Sequence, residues 1–202
     1  MTEPAFRSRM AASGPPEAVV GGVRILIAGI GNLFLGDDGF GVEVVRRLAE
    51  RPAMPGVDIV DFGIRGMDLV YAMQRNYHAV IFVDAAPRGE PPGTLTVLEP
   101  DTSEVDRAAP ETHGMDPVRV LRLARDLGRM PERTLVVCCE PDTVPPQGPG
   151  EDLHVALSPP VESALDDAVR LTESLVDELL EEFGLPTERE HHSHGQGVNR
   201  YA

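Results

Sequence analysis

Oxygen and nitrogen donors recur at points in the chain where an apolar run gives way to a polar loop. Asn32, Asp37 and Asp38 follow VRILIAGI, Asp84 closes the run AVIFV, and His113 stands in ETHGMD ahead of an amphipathic segment. Two carboxylates and an imidazole suit a divalent transition metal and leave positions open for water or a substrate group. Each residue also has a plain structural reading. One of Asp37 and Asp38 can cap the helix that begins near Gly39, with Asp37 the better cap and Asp38 the better ligand. Asp84 can bond the amides of a strand-end turn, and His113 alone reads best as a helix-start residue. The metal reading is carried by the three converging, not by any one of them.

Rival chemistries find less support. GIGNLF (29–34) opens like a dinucleotide fingerprint, but its sixth position is Phe34 rather than glycine. No P-loop lysine follows, and Asp37 and Asp38 would oppose a pyrophosphate with two negative charges. No nucleotide cofactor is expected. The two cysteines, Cys138 and Cys139, are neighbours in an apolar run. Adjacent strand residues face opposite sides, so a structural disulfide between them is not expected. Buried thiols are usually inert, which makes a Cys–His113 nucleophile pair the weaker reading. There is no GxSxG elbow and no HExxH motif. The HHSH stretch (191–194) has nickel- or zinc-binding composition and is read as incidental to a polar tail.

The elements that must position these donors follow from periodicity. Continuous apolar runs at 23–30, 79–86 and 134–140 predict buried strands, 57–62 predicts another strand, and 94–100 predicts a shorter strand at an edge. A helix is predicted from about Gly39 to Arg51, with Gly41, Val44, Val45 and Leu48 inward and Glu43, Arg46, Arg47 and Glu50 outward. A short helix follows at 66–76. Another runs from about Met115 to Leu127, with the stripe Val118, Leu121, Ala124 and Leu127 and a stop at Gly128. Ser158 and Pro159 open a long helix whose inner stripe is Val161, Leu165, Ala168, Thr172, Leu175 and Leu179. Strands alternating with helices imply a three-layer α/β/α sandwich, with a largely parallel twisted sheet and helices on both faces. Ligands of such sheets bind beyond the carboxyl ends of the strands.

With 202 residues, 42% hydrophobic and 25% charged, the chain is expected to form one α/β domain over 23–185. Residues 1–22 read as a flexible leader and 186–202 as a disordered, histidine-containing tail. A formal net charge of -15 disfavours nucleic acid and anionic membranes as partners. No run approaches the length of a membrane helix and no secretory signal is evident, so the cytoplasm is expected. One apolar stripe per helix points to a monomer.

GIGNLFLGDDGFGVEVV, DFGIRGMDLVYAM, AVIFVDAA, THGMD and the stretch from CEPDT to LSPPVESALDDAV occur in this order between 23 and 180. Together they resemble the nickel–iron hydrogenase maturation endopeptidases. The resemblance implies a three-layer α/β/α fold and an aspartyl-type endopeptidase. It implies cleavage of the C-terminal extension of the hydrogenase large-subunit precursor after nickel insertion, with nickel supplied by that substrate as the recognition element. Carried over by motif, the metal-contacting and catalytic residues are Asp38, Asp84 and His113; relatives can have Glu at the first position. This chain departs from the pattern in two places. Cys138–Cys139–Glu140–Pro141 stands where relatives often have Gly-x-x-Pro, and a Pro/Gly insertion surrounds 145–150. The alternatives are a chaperone-like binder of the precursor that does not cut it, and a metal-dependent peptidase of the same fold with another substrate.

Overall fold

All six residues of Ile25–Ile30 are buried, because this strand is covered on both sides. Ile25 and Ile27 enter one apolar cluster, while Leu26, Ala28 and Ile30 enter another. The computed structural model describes residues 22–100, 117–143 and 155–185. Its strands are β1 (Ile25–Ile30), β2 (Val57–Gly63), β3 (Ala79–Ala85), β4 (Leu95–Leu98) and β5 (Arg133–Cys139). They form one sheet in the order β2-β1-β3-β5-β4. β1 pairs in parallel with β2 and β3, β3 pairs in parallel with β5, and only β4 runs antiparallel, at the edge beside β5. The expected α/β sandwich and its edge strand are therefore both present.

The two faces are covered by different helices. α1 (Phe40–Ala49) and α4 (Pro159–Glu182) contribute to the first cluster. α2 (Gly66–Met73) and α3 (Pro117–Asp126) contribute to the second. The six predicted inward positions of α4 are all buried. Ser158 takes the extended backbone of a helix cap and Pro159 the first helical position, but the cap bond expected from the Ser158 side chain is not made. At the amino-terminal end of the sheet, Arg24 pairs with Asp58 at 2.5 Å and lies 4.4 Å over the Tyr77 ring, while the Tyr77 hydroxyl donates to Asp58 at 2.6 Å. This ties the starts of β1, β2 and β3 together, far from the loops that carry Asp38 and Asp84.

Two expectations change. The helix after β1 is preceded by a separate 3₁₀ turn, Gly36–Gly39, so Asp37 and Asp38 lie in that turn rather than ahead of a simple α-helix. In α3, Leu121 and Ala124 are buried as predicted, but Leu127 lies beyond the helix and is 53% exposed. A stripe of every third residue drifts by about 60° per step against a 3.6-residue helix, so a stripe begun at Val118 would turn to the opposite side by Leu127. Val120 joins the buried face instead. Gly128 does end the segment, at φ 94. No helix among the described residues is long and apolar enough to cross a membrane.

Where α1 meets the sheet there is no room for a side chain. A Cβ on Gly41 would lie 2.0 Å from the Val83 carbonyl oxygen and 2.4 Å from that of Ile30. Gly41→Ala gains about 1 kcal/mol of helix propensity but must push α1 off the ends of β1 and β3. The expected net effect is destabilisation at or above the upper end of the roughly 1–3 kcal/mol typical of overpacking. Urea unfolding of the variant measures it, and a stability equal to wild type would contradict this packing.

Candidate active site

The chain leaves β1 through α1 to β2 on one side, then crosses back through α2 to β3 on the other. The carboxyl ends of β1 and β3 therefore flank the topological switch point, where the sheet opens a crevice. Asp38 belongs to the turn after β1 and Asp84 is the sixth residue of β3, and the Gly36–Gly39 turn packs against β3. The structure thus brings Asp38 and Asp84 to one rim. His113, the third expected ligand, lies outside the described residues, as do the HHSH stretch and residues 145–150.

Local geometry explains how Asp38 is held. Gly31 has φ 124, and a Cβ there would fall 1.8 Å from the Asp38 carbonyl oxygen, so the turn lies flush on the loop below it. The Asn32 amide donates to Asp38 Oδ2 at 2.7 Å, and Asn32 Oδ1 accepts the Phe34 amide at 3.0 Å. Burial pushes the Asp38 carboxyl above its ordinary range, and this one amide only partly opposes it. A carboxylate that is costly to ionise alone is stabilised when a cation arrives. Asp84 is buried and accepts the Ala85 amide at 2.9 Å, so the strand-end bond expected of it is present.

Asp37 is not the local cap its sequence position suggests. It is fully buried. Its Oδ1 accepts the Ser158 amide at 2.6 Å, and its Oδ2 accepts the Asp142 amide at 2.9 Å, the Thr143 amide at 2.8 Å and the Thr143 hydroxyl at 3.0 Å. All these donors lie more than a hundred residues away, and the helix that Asp37 precedes is met by its backbone carbonyl, which accepts the Phe40 amide. Burial works against its charge, but the amides of Ser158 and Thr143 outweigh it and hold the carboxyl below its ordinary range. Adjacent aspartates thus shift in opposite directions because, among the described residues, one meets at least four donors and the other one.

Glu140 was expected only as part of a departure from the family pattern. It follows the last residue of β5 and faces the loop that follows β3. Its carboxylate accepts the Arg88 amide at 2.7 Å and the Gly89 amide at 3.2 Å, and these bonds outweigh burial to lower its pKa. Its own amide donates to Thr94, and its carbonyl accepts the Gly93 amide. The loop leading away from Asp84 is therefore tied to the end of β5 by Glu140 and by the Cys139 carbonyl, which accepts the Ala86 amide at 3.0 Å. Nothing in the local sequence announces this, since the partners lie about fifty positions away.

The thiols sit on opposite faces of β5, Cys139 in one cluster and Cys138 in the other, as expected for neighbours in a strand. Burial and then the nearby Asp84 charge push Cys138 up to about 11. Burial, followed by Asp37 and Glu140, pushes Cys139 up to about 12. Both are protonated at neutral pH, which removes them as nucleophiles.

The family described as HycI, hydrogenase maturation protease, matches residues 42–175. The hydrogenase expression/formation protein HoxM of Cupriavidus necator is 32% identical over 174 residues, covering 82% of this chain and 78% of that protein. The Hydrogenase 2 maturation protease of Escherichia coli is 29% identical over 151 residues, covering 73% of this chain and 87% of that protein. The solved structure of the hydrogenase maturating endopeptidase HybD from Escherichia coli superposes with a TM-score of 0.64 at 29% identity, over 80% of this chain and 94% of that one.

The raised thiol pKa values set an expected outcome for labelling. At pH 8 the native protein should react with iodoacetamide at least about a hundredfold more slowly than a free cysteine, and after denaturation both thiols should label. Labelling of the folded protein at the free-cysteine rate would show that either strand position is open.

Proposed function

Since the chain belongs to the hydrogenase maturation protease family and is a peptidase, we propose that it removes the C-terminal extension of a nickel-loaded nickel–iron hydrogenase large-subunit precursor, with Asp38, Asp84 and His113 meeting the nickel that the precursor carries. The observation that carries this reading is the pair of carboxylates at the switch-point crevice, one in the turn after β1 and one near the end of β3. Asp38 is half-buried, and burial pushes its carboxyl above its ordinary range, so a cation at the rim would favour its charged form. In this reading the nickel belongs to the substrate. Docking it on the rim places the scissile peptide beside the carboxylates, which orients the bond before it is cut. The metal polarises the peptide carbonyl or the attacking water, and a rim carboxylate takes the water's proton.

The rim also offers an apolar landing surface for a polypeptide. Phe34 is 70% exposed on the loop that carries Asp38, and Ile64 is 71% exposed on the next loop. The Gly31 amide donates to the Gly63 carbonyl at 3.1 Å, so the two loops are bonded neighbours. Exposed apolar side chains beside a catalytic rim are contact surface for a protein substrate.

Two outcomes are expected. With a nickel-loaded precursor, Asp38→Ala, Asp84→Ala and His113→Ala should each slow release of the extension by about a hundredfold or more, read by mass spectrometry. Wild-type rates in all three would remove the assignment. Phe34→Ser combined with Ile64→Ser should raise KM several-fold at nearly constant kcat, the pattern of lost uniform binding. A fall in kcat with unchanged KM would show that these side chains act elsewhere.

A further inference from the structure

Asp37 is unusual among the carboxylates because it is completely buried, fully hydrogen-bonded and not used by the proposed chemistry. We propose that Asp37 is a positioning residue of the active site: its carboxylate holds the Asp38 turn, the exit from β5 and the start of α4 in one register. The proposal rests on the reading of Asp38 as the carboxylate that meets the precursor's metal.

The geometry runs in three steps. Asp37 and Asp38 are consecutive residues of the Gly36–Gly39 turn. In a 3₁₀ turn successive side chains diverge by about 120°, so one residue can be anchored inward while the next faces the rim. The inward anchor is a carboxylate shared among the amides of Asp142, Thr143 and Ser158 and the Thr143 hydroxyl. The other side of the turn rests on Gly31, where the Asp38 backbone leaves no room for a Cβ. Asp38 is therefore clamped between a backbone contact below and the bonds of its neighbour.

The energetics make this clamp stiff. Among the described residues, the donors that meet the Asp37 carboxylate are backbone amides and one hydroxyl, all neutral. A buried carboxylate without a counter-ion needs its whole set of donors, and each donor left unmatched is costly in turn. One of the donors is the cap residue of α4, a helix of 24 residues whose amino-terminal dipole favours an anion there. The bonds span 105, 106 and 121 positions in the chain. Shifts in the loop after β5 or at the start of α4 are thus transmitted to the turn that carries Asp38. Misplacement of a catalytic group by about 1 Å can cost a hundredfold in rate.

The test uses two variants of the full chain, each measured per folded molecule, with the folded fraction taken from circular dichroism. Asp37→Asn keeps the shape but sets an amide NH₂ against one set of donors. Ser158→Pro removes the amide that donates to Asp37 Oδ1 together with the buried Ser158 hydroxyl, at a position whose φ of -66 and ψ of 153 suit proline. Processing of the nickel-loaded precursor should lose about tenfold to a hundredfold in kcat in Asp37→Asn, and a smaller factor in Ser158→Pro. KM should stay within about twofold of wild type in both. A purely structural residue would leave kcat per folded molecule unchanged, and that result overturns the proposal. Should Asp37→Asn not fold, an unchanged kcat in Ser158→Pro overturns it just the same. Asp38→Ala is run alongside. Wild-type processing in that variant overturns the reading of the site itself, whereas lost processing there with wild-type kcat in Asp37→Asn overturns the role of Asp37 alone.

Discussion

The amino end of α1 lies on the sheet with no side chain between them, and the rim of the protein is built outward from that contact. Gly41 faces the carbonyls of Val83 and Ile30, and Gly29 faces Val45 and the Gly41 carbonyl. Any side chain at either position would lift the helix and carry the preceding turn with it. The same approach brings Asp38, at the head of α1, next to the end of β3, where Asp84 emerges. The turn that carries Asp38 and the end of β3 that carries Asp84 lie side by side at the switch point because backbone packs on backbone just below them.

Electrostatics then distinguishes carboxylates that look alike. Asp37 and Glu140 are saturated by backbone amides and held below their ordinary range, so they behave as fixed structural anions. Asp38 has one amide and is pushed up by burial. The difference is the number of donors each meets, not the residue type. Asp37 secures the loop after β1 to the β5 exit and α4, and Glu140 secures the loop after β3 to β5. A peptidase of the hydrogenase maturation family thus presents a rim whose supporting anions are satisfied and whose outward carboxylate is not.

The faces of the sheet were readable residue by residue. Continuous apolar runs meant double burial, and Cys138 and Cys139 were separated to opposite faces by strand alternation alone. The ligand rule for parallel sheets points to the loop of Asn32, Asp37 and Asp38 and to Asp84, without separating Asp37 from Asp38. Reading α3 by a strict three-residue repeat carried Leu127 into the core, whereas the helical period leaves it in solvent. Asp37 was read as a cap because helix-start aspartates usually serve the nearest amides. Here the nearest amides belong to a 3₁₀ turn, and the carboxylate is directed away from them.

By itself, the sequence determined the α/β layering, the strand count with its edge strand, and the placement of Asp38 and Asp84 at strand ends. These follow from short-range periodicity and from the ligand rule for parallel sheets, both properties of neighbouring residues. The ordered motifs from GIGNLFLGDDGFG onward also marked the family. Only the tertiary structure decided which aspartate of the pair is buried, and that Glu140 ties down the loop after β3. Those roles depend on donors from 51 to 121 positions away. A carboxylate's task is set by which amides the fold brings to it, and no local pattern records that meeting.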